Sequence, residues 1–82
     1  MYFVYVIQSI SHLTRYVGHT NDISKRIKAH NNGDCRYTSG RRPWQLVHQE
    51  EFSSRAEAMK REIFLKSGQG RAYLDEILKK KK

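Results

Sequence analysis

A small α+β fold is what this sequence predicts: a mostly antiparallel three-stranded sheet flanked by helices, in the order ββαβαα. Three observations predict it. Tyr2-Phe3-Val4-Tyr5-Val6-Ile7 is an unbroken β-branched and aromatic run, the pattern of a strand covered on both faces. Side chains that cap helices stand just ahead of two stretches with helical spacing, at Thr20-Asn21-Asp22 and Ser54-Arg55-Ala56-Glu57. A third alternating segment, Trp44 to Phe52, lies between those helices.

Taken in order, Tyr2 to Ile7 is the first strand, and the polar stretch Gln8 to Thr14 connects it to a second, Arg15 to His19, paired as a hairpin. The first helix spans Ile23 to Asn32, with Gly33 as its left-handed stop. A polar loop, Asp34 to Pro43, leads to the third strand, Trp44 to Phe52. The second helix runs from the Ser54 capping box to about Lys66. Gly68 and Gly70 break it, and a last helix covers Arg71 to Lys80.

With 82 residues the chain reads as one domain, 1–82, whose residues 76–82 form a basic helix end. Nothing approaches the roughly 20 apolar residues of a membrane span. The N-terminal run lacks a basic leader and a small-residue cleavage site, so it is not a signal peptide. Cys35 is the single cysteine and has no partner for a disulfide or a structural zinc. An intracellular, cytoplasmic location is the expectation. The formal net charge is +8, and the run Lys79 to Lys82 supplies four of those charges. The informative basic residues are therefore Lys25, Arg26, Lys28, Arg36, Arg41 and Arg42, interleaved with Tyr37 and Trp44. A polyanion partner fits this pattern.

Helical phasing finds polar residues where packing would prefer apolar ones. Ile23, Arg26, Ile27 and His30 share one stripe, so the isoleucines carry Arg26 and His30 to the core edge. Two readings stand side by side: a snorkelling arginine with a helix-capping histidine, or two residues of a cleft. In the second helix Ala58, Glu62 and Leu65 share a row beside Ala56, Met59 and Ile63, which places Glu62 inside the apolar arc. A carboxylate there is costly unless paired or metal-bound. Tyr5 and Tyr16 read by themselves first as strand packing residues, with a place in a site as the alternative. Gly18, ending a strand, allows close approach by a ligand or by a neighbouring element. Trp44 reads either as core or as a stacking platform.

Phe3-Val4-Tyr5, then Tyr16-Val17-Gly18, then Arg26, His30 and Glu62 form an ordered set that resembles the GIY-YIG nuclease domain. The segment Tyr37-Thr38-Ser39-Gly40-Arg41-Arg42-Pro43 and the pair Arg61-Glu62 look like those of its small stand-alone bacterial members. Phe3 departs from the glycine of the first triplet, so Tyr5 carries what that triplet contributes. The resemblance implies a divalent-metal-dependent endonuclease that hydrolyses DNA phosphodiester bonds in repair or recombination, with Tyr5, Tyr16, His19, Arg26, His30 and Glu62 as catalytic residues.

It further implies that Glu62 holds one Mg²⁺ or Mn²⁺, weakly without substrate, and that Arg26 clamps the phosphate. Tyr16 is the general base or orients the water, with His19 and His30 as helpers or alternatives. Lys25, Lys28, Arg36, Tyr37, Arg41 and Arg42 would contact DNA that is branched, damaged or single-stranded. No targeting domain fits within the chain, so a protein partner is a further expectation, and the oligomeric state stays open. Whether the chain is an enzyme stays open too. A non-catalytic nucleic-acid-binding module and a protein-interaction domain with a basic surface are the alternatives.

Overall fold

The computed structural model describes residues 1–79. Its elements follow the expected order: strands β1 (Tyr2–Ser9) and β2 (Arg15–Thr20), helix α1 (Ile23–Asn32), strand β3 (Trp44–Phe52), and helices α2 (Arg55–Lys66) and α3 (Gly68–Lys79). The fold is α+β, with a three-stranded antiparallel sheet in the order β2-β1-β3. The expected lysine-rich end, residues 80–82, lies outside the described residues.

β1 is the central strand, and Val4, Tyr5, Val6 and Ile7 are all fully buried. Alternation sends them to opposite faces. Val4 and Val6 pack with Val17, Ala58, Leu65 and Leu74 beneath α2 and α3. Tyr5 and Ile7 pack with Trp44, Tyr16, Ile23 and Ile27 beneath α1. The domain therefore has two thin cores on one sheet, and side chains from both meet around the β2 edge.

The helix ends are built as their residue types require. Asp22 caps α1 by accepting from the Lys25 backbone N–H at 3.1 Å, and Gly33 closes it at φ +84°. Ser54 caps α2 through the Glu57 backbone N–H at 3.2 Å. Trp44 is core: 5 % exposed, with its indole N–H donating to the Thr38 carbonyl at 2.9 Å.

Three expectations need correction. β1 continues to Ser9, whose buried hydroxyl donates to the Arg41 carbonyl at 2.7 Å, so the connection is shorter than Gln8 to Thr14. α3 starts at Gly68, ahead of Arg71. Gly70 is no breaker, because it is the buried point where α3 crosses α2, and a Cβ there would sit 1.9 Å from the Phe64 carbonyl oxygen. On α2, Met59 and Ile63 are exposed and the buried row is Ala58 and Leu65 with half-buried Glu62. A register shift between Val6 and Ile7 also bulges β3, so that Val47 joins the α2/α3 core although His48 pairs with Val6.

Candidate active site

Antiparallel register sets Tyr5 opposite Gly18, and Ile7 opposite Tyr16. Tyr5 and Tyr16 thus project on the α1 face, with ring centroids 6.3 Å apart. Gly18 makes the room: a Cβ there would stand 2.6 Å from the Tyr5 hydroxyl oxygen. The close approach that Gly18 permits is by a neighbouring side chain of the fold.

The Tyr5 hydroxyl heads a chain of hydrogen bonds. Arg26 Nε donates to it at 3.3 Å, and it lies 2.9 Å from His30 Nε2. His30 Nδ1 lies 2.7 Å from Thr38 Oγ1, which donates to the Cys35 carbonyl at 3.3 Å. One proton pattern satisfies the whole chain: the phenol donates to His30 Nε2, and His30 donates from Nδ1 to Thr38. Burial pushes the Tyr5 phenol up to about 12, against the opposing hydrogen bond from Arg26. Burial, and then the Arg26 charge, push His30 down from its ordinary value. Both shifts keep the chain neutral and leave Arg26 as its one cation. Hydrogen bonding to Tyr5 raises the Arg26 guanidinium further. A second arm of Arg26 donates to Cys35 Sγ at 3.4 Å.

Around the β2 edge, a second group forms on the α2 side. His19 Nδ1 lies 2.5 Å from Glu62 Oε1, and Lys66 Nζ donates to Glu62 Oε2 at 2.6 Å. Burial opposes ionisation of Glu62, whose side chain is 17 % exposed, but its hydrogen bonds to Lys66 and His19 outweigh that and hold the carboxyl below its usual range. The two groups meet twice. His19 and Arg26 line one small cleft with Tyr2 and Arg55. Lys66 Nζ also lies 6.0 Å from the Tyr16 ring centroid, and that ring packs on His30 at 5.0 Å.

The basic residues scatter more widely. Lys25 borders a cleft with Arg26, whereas Lys28 faces a different groove with Phe3, Ile27 and Leu46. Arg36 and Arg41 are exposed. Arg42 donates from Nε to the Ser39 carbonyl at 2.8 Å and lies over Gly33, at the carbonyl end of α1 where a cation is favoured. Tyr37 is exposed and packs beside Tyr16 with centroids 5.7 Å apart and ring planes tilted by 46°.

Two participants lay beyond the sequence reading. Thr38 is fully buried and fixes the His30 ring, and Lys66 neutralises Glu62. The i, i+4 spacing of Glu62 and Lys66 was a usable signal for the second. No local pattern ties Thr38 to His30.

A divalent ion is the group that the sequence resemblance implies here. Among the described residues no group of three or more His, Cys, Asp or Glu side chains could hold a metal. Glu62 is the carboxylate at this site, with Oε1 engaged by His19 and Oε2 by Lys66, so an ion would take the place of Lys66, whose side chain is 52 % exposed. Such a donor suits Mg²⁺, which keeps several waters and commonly uses one or two carboxylates with substrate phosphates.

The residues fit a nuclease family, and comparison with known proteins agrees. The model of the GIY-YIG catalytic domain matches residues 1–73, and this chain belongs to that family. Its relatives are small proteins. UPF0213 protein VNG_2274C of Halobacterium salinarum is 48% identical over 67 residues, 80% of this chain and 86% of that one. UPF0213 protein SSP2268 of Staphylococcus saprophyticus is 53% identical over 53 residues, 63% of this chain and 65% of that one, just under two thirds. The solution NMR structure of UPF0213 protein BH0048 from Bacillus halodurans superposes with a TM-score of 0.56 at 34% identity, covering 94% of this chain and 85% of that one. No helix among the described residues is long and apolar enough to cross a membrane.

Proposed function

We propose that the chain is a divalent-metal-dependent endonuclease that hydrolyses DNA phosphodiester bonds. One observation carries the reading: Arg26 is braced by a neutral, buried hydrogen-bond chain in a cleft it shares with His19, the partner of an ionised Glu62. A binding module needs neither the buried chain nor the carboxylate, because phosphate contacts come from basic side chains at the surface.

Arg26 spends two donors on Tyr5 and Cys35, and the rest of its planar fork, without a partner among the described residues, can hold two phosphate oxygens. Tyr5, His30 and Thr38 are positioning residues. Tyr5 and His30 are fully buried, so they act through Arg26 without touching substrate. His30 also has both ring nitrogens engaged, which leaves it unsuited to accept a proton from a substrate water. His19 remains: its Nδ1 is oriented by Glu62 and its Nε2 has no partner among the described residues. Tyr16 also keeps a hydroxyl without a protein partner among them, beside Lys66. A metal held by Glu62 would supply Lewis-acid polarisation of the phosphoryl oxygen and stabilise the leaving oxygen.

The test is to incubate the pure protein with duplex, single-stranded and branched DNA in Mg²⁺ or Mn²⁺. Cleavage should be lost in Glu62→Ala and fall on the order of a hundredfold in Arg26→Ala. Loss of the base costs roughly 10² to 10⁴-fold, so the larger deficit between His19→Gln and Tyr16→Phe identifies it. Cleavage that survives both Glu62→Ala and Arg26→Ala comes from a contaminant or overturns this site assignment, and salt-sensitive binding without cleavage on every substrate would make the chain a binding module.

A further inference from the structure

Beside Tyr16 lies a groove that the proposed chemistry touches only through Tyr16 and Lys66. The β1–β2 turn, the edge of β2 and the corner between α2 and α3 enclose about 820 Å³ of it. That lies within the 300 to 1,000 Å³ typical of sites for small organic groups. Its rims are unusual for a chain this polar. Leu13 is 71% exposed and Tyr37 is 76% exposed, and both line the groove. Leu13 also holds φ +59°, the left-handed region that a leucine adopts at a cost. The fold thus strains its backbone at a leucine that packs little of its surface against the protein.

Between these rims the groove is cationic. Arg15 is ion-paired with Asp75 and Lys66 with Glu62, while Arg71 makes no ion pair among the described residues. Phosphate contacts explain the cations but not the aromatic and aliphatic rims. A nucleobase does explain them, since every base has a face that stacks on an exposed aromatic ring. Bases inside a duplex present edges and not faces, so only an unpaired nucleotide can enter.

We infer that this groove, with Tyr37 as stacking platform, Leu13 as a further apolar contact and Arg71 as phosphate contact, binds an unpaired deoxynucleotide next to the scissile phosphate. The inference rests on the proposed nuclease reading for its place beside the reaction, and on the groove alone for its ligand. It defines the substrate class as DNA with an unstacked base near the cut: a single strand, a flap or a junction.

Binding in EDTA separates the two ideas, because no metal-dependent cut can occur. Fluorescence anisotropy compares a labelled oligothymidylate with an abasic strand of equal length. Loss of base stacking should weaken binding roughly 5- to 150-fold for each base that the groove holds. Tyr37→Ala should abolish that difference and Tyr37→Phe should keep it; both side chains sit at an exposed position, so the fold is not at risk. Arg71→Ala should weaken both strands alike and lower the salt slope by about one. Base-dependent binding without any cleavage in Mg²⁺ upholds the groove and overturns the nuclease. Equal affinity for the two strands, or discrimination that survives Tyr37→Ala, overturns the groove whatever the cleavage assay shows.

Discussion

Replacing Gly18 by alanine tests the contact on which the site is built. The added Cβ would meet the Tyr5 hydroxyl oxygen at 2.6 Å and its Cζ at 2.8 Å, while ordinary contact begins near 3.4 Å, so the ring must yield about 0.8 Å. It has nowhere easy to go. Tyr5 is fully buried, its hydroxyl lies 2.9 Å from His30 Nε2, and Arg26 donates to it. Overpacking of this kind costs about 1–3 kcal/mol, and each weakened hydrogen bond adds up to about 1 kcal/mol. Reduced freedom of the unfolded chain returns roughly 0.4–1 kcal/mol. The expected net loss is about 2 kcal/mol, which in a domain of this size lowers Tm by roughly 8–16 °C.

Urea denaturation and calorimetry of Gly18→Ala, Tyr5→Phe and the double variant measure it. Tyr5→Phe removes the nearest atom, so Gly18→Ala should cost less in that background, with a coupling of about 1 kcal/mol. A Gly18→Ala protein within about 0.5 kcal/mol of wild type, or a double variant whose losses simply add, would refute the reasoning.

Other expectations follow from the same contacts. Gly70→Ala should be far more damaging than Gly68→Ala, since a Cβ meets the Phe64 carbonyl oxygen at 1.9 Å in the first case and nothing within 4 Å in the second; thermal melts rank them, and a wild-type melt for Gly70→Ala counts against the helix crossing. Thr38→Val should leave His30 Nδ1 unsatisfied at a cost of about 1–3 kcal/mol, with Thr38→Ser restoring most of it. Nitrogen NMR of His30 should report the Nδ1–H tautomer in wild type and Ser variants, and an unchanged tautomer in Thr38→Val would remove Thr38 from the chain. Leu13→Asn should stabilise by about 1 kcal/mol, because asparagine tolerates φ +59°, while it weakens base-dependent binding; denaturation and anisotropy together check the trade. Acid should act in two windows. His30 is held below its ordinary 6.5, so the unfolded chain protonates first and stability falls as pH drops below about 6.5. Burial opposes the charge on Glu50, but hydrogen bonds from Arg61 and His48 hold it, like Glu62, below 4.5, so the contribution of both persists above that and is lost as pH falls through their lower folded values. Denaturation across pH should show both, and His30→Gln should flatten only the first.

The amino-acid sequence by itself determined the element order, the caps and the phasing of α1. These depend on residues within one or two turns of each other: Asp22 on Lys25, Ser54 on Glu57, and Ile23 and Ile27 carrying Arg26 and His30 inward. The resemblance added the grouping of the tyrosines with Arg26 and Glu62, which periodicity alone left as ordinary packing. The tertiary structure decided the rest, because the partners come from distant segments. His19 meets Glu62 across 43 positions, and His30 meets Thr38 from across a loop without regular pattern. The β3 bulge, the crossing at Gly70 and the outward turn of Met59 and Ile63 were hidden for the same reason. Each depends on which neighbour a face finally packs against, and a local pattern of apolar residues specifies a face without naming its neighbour.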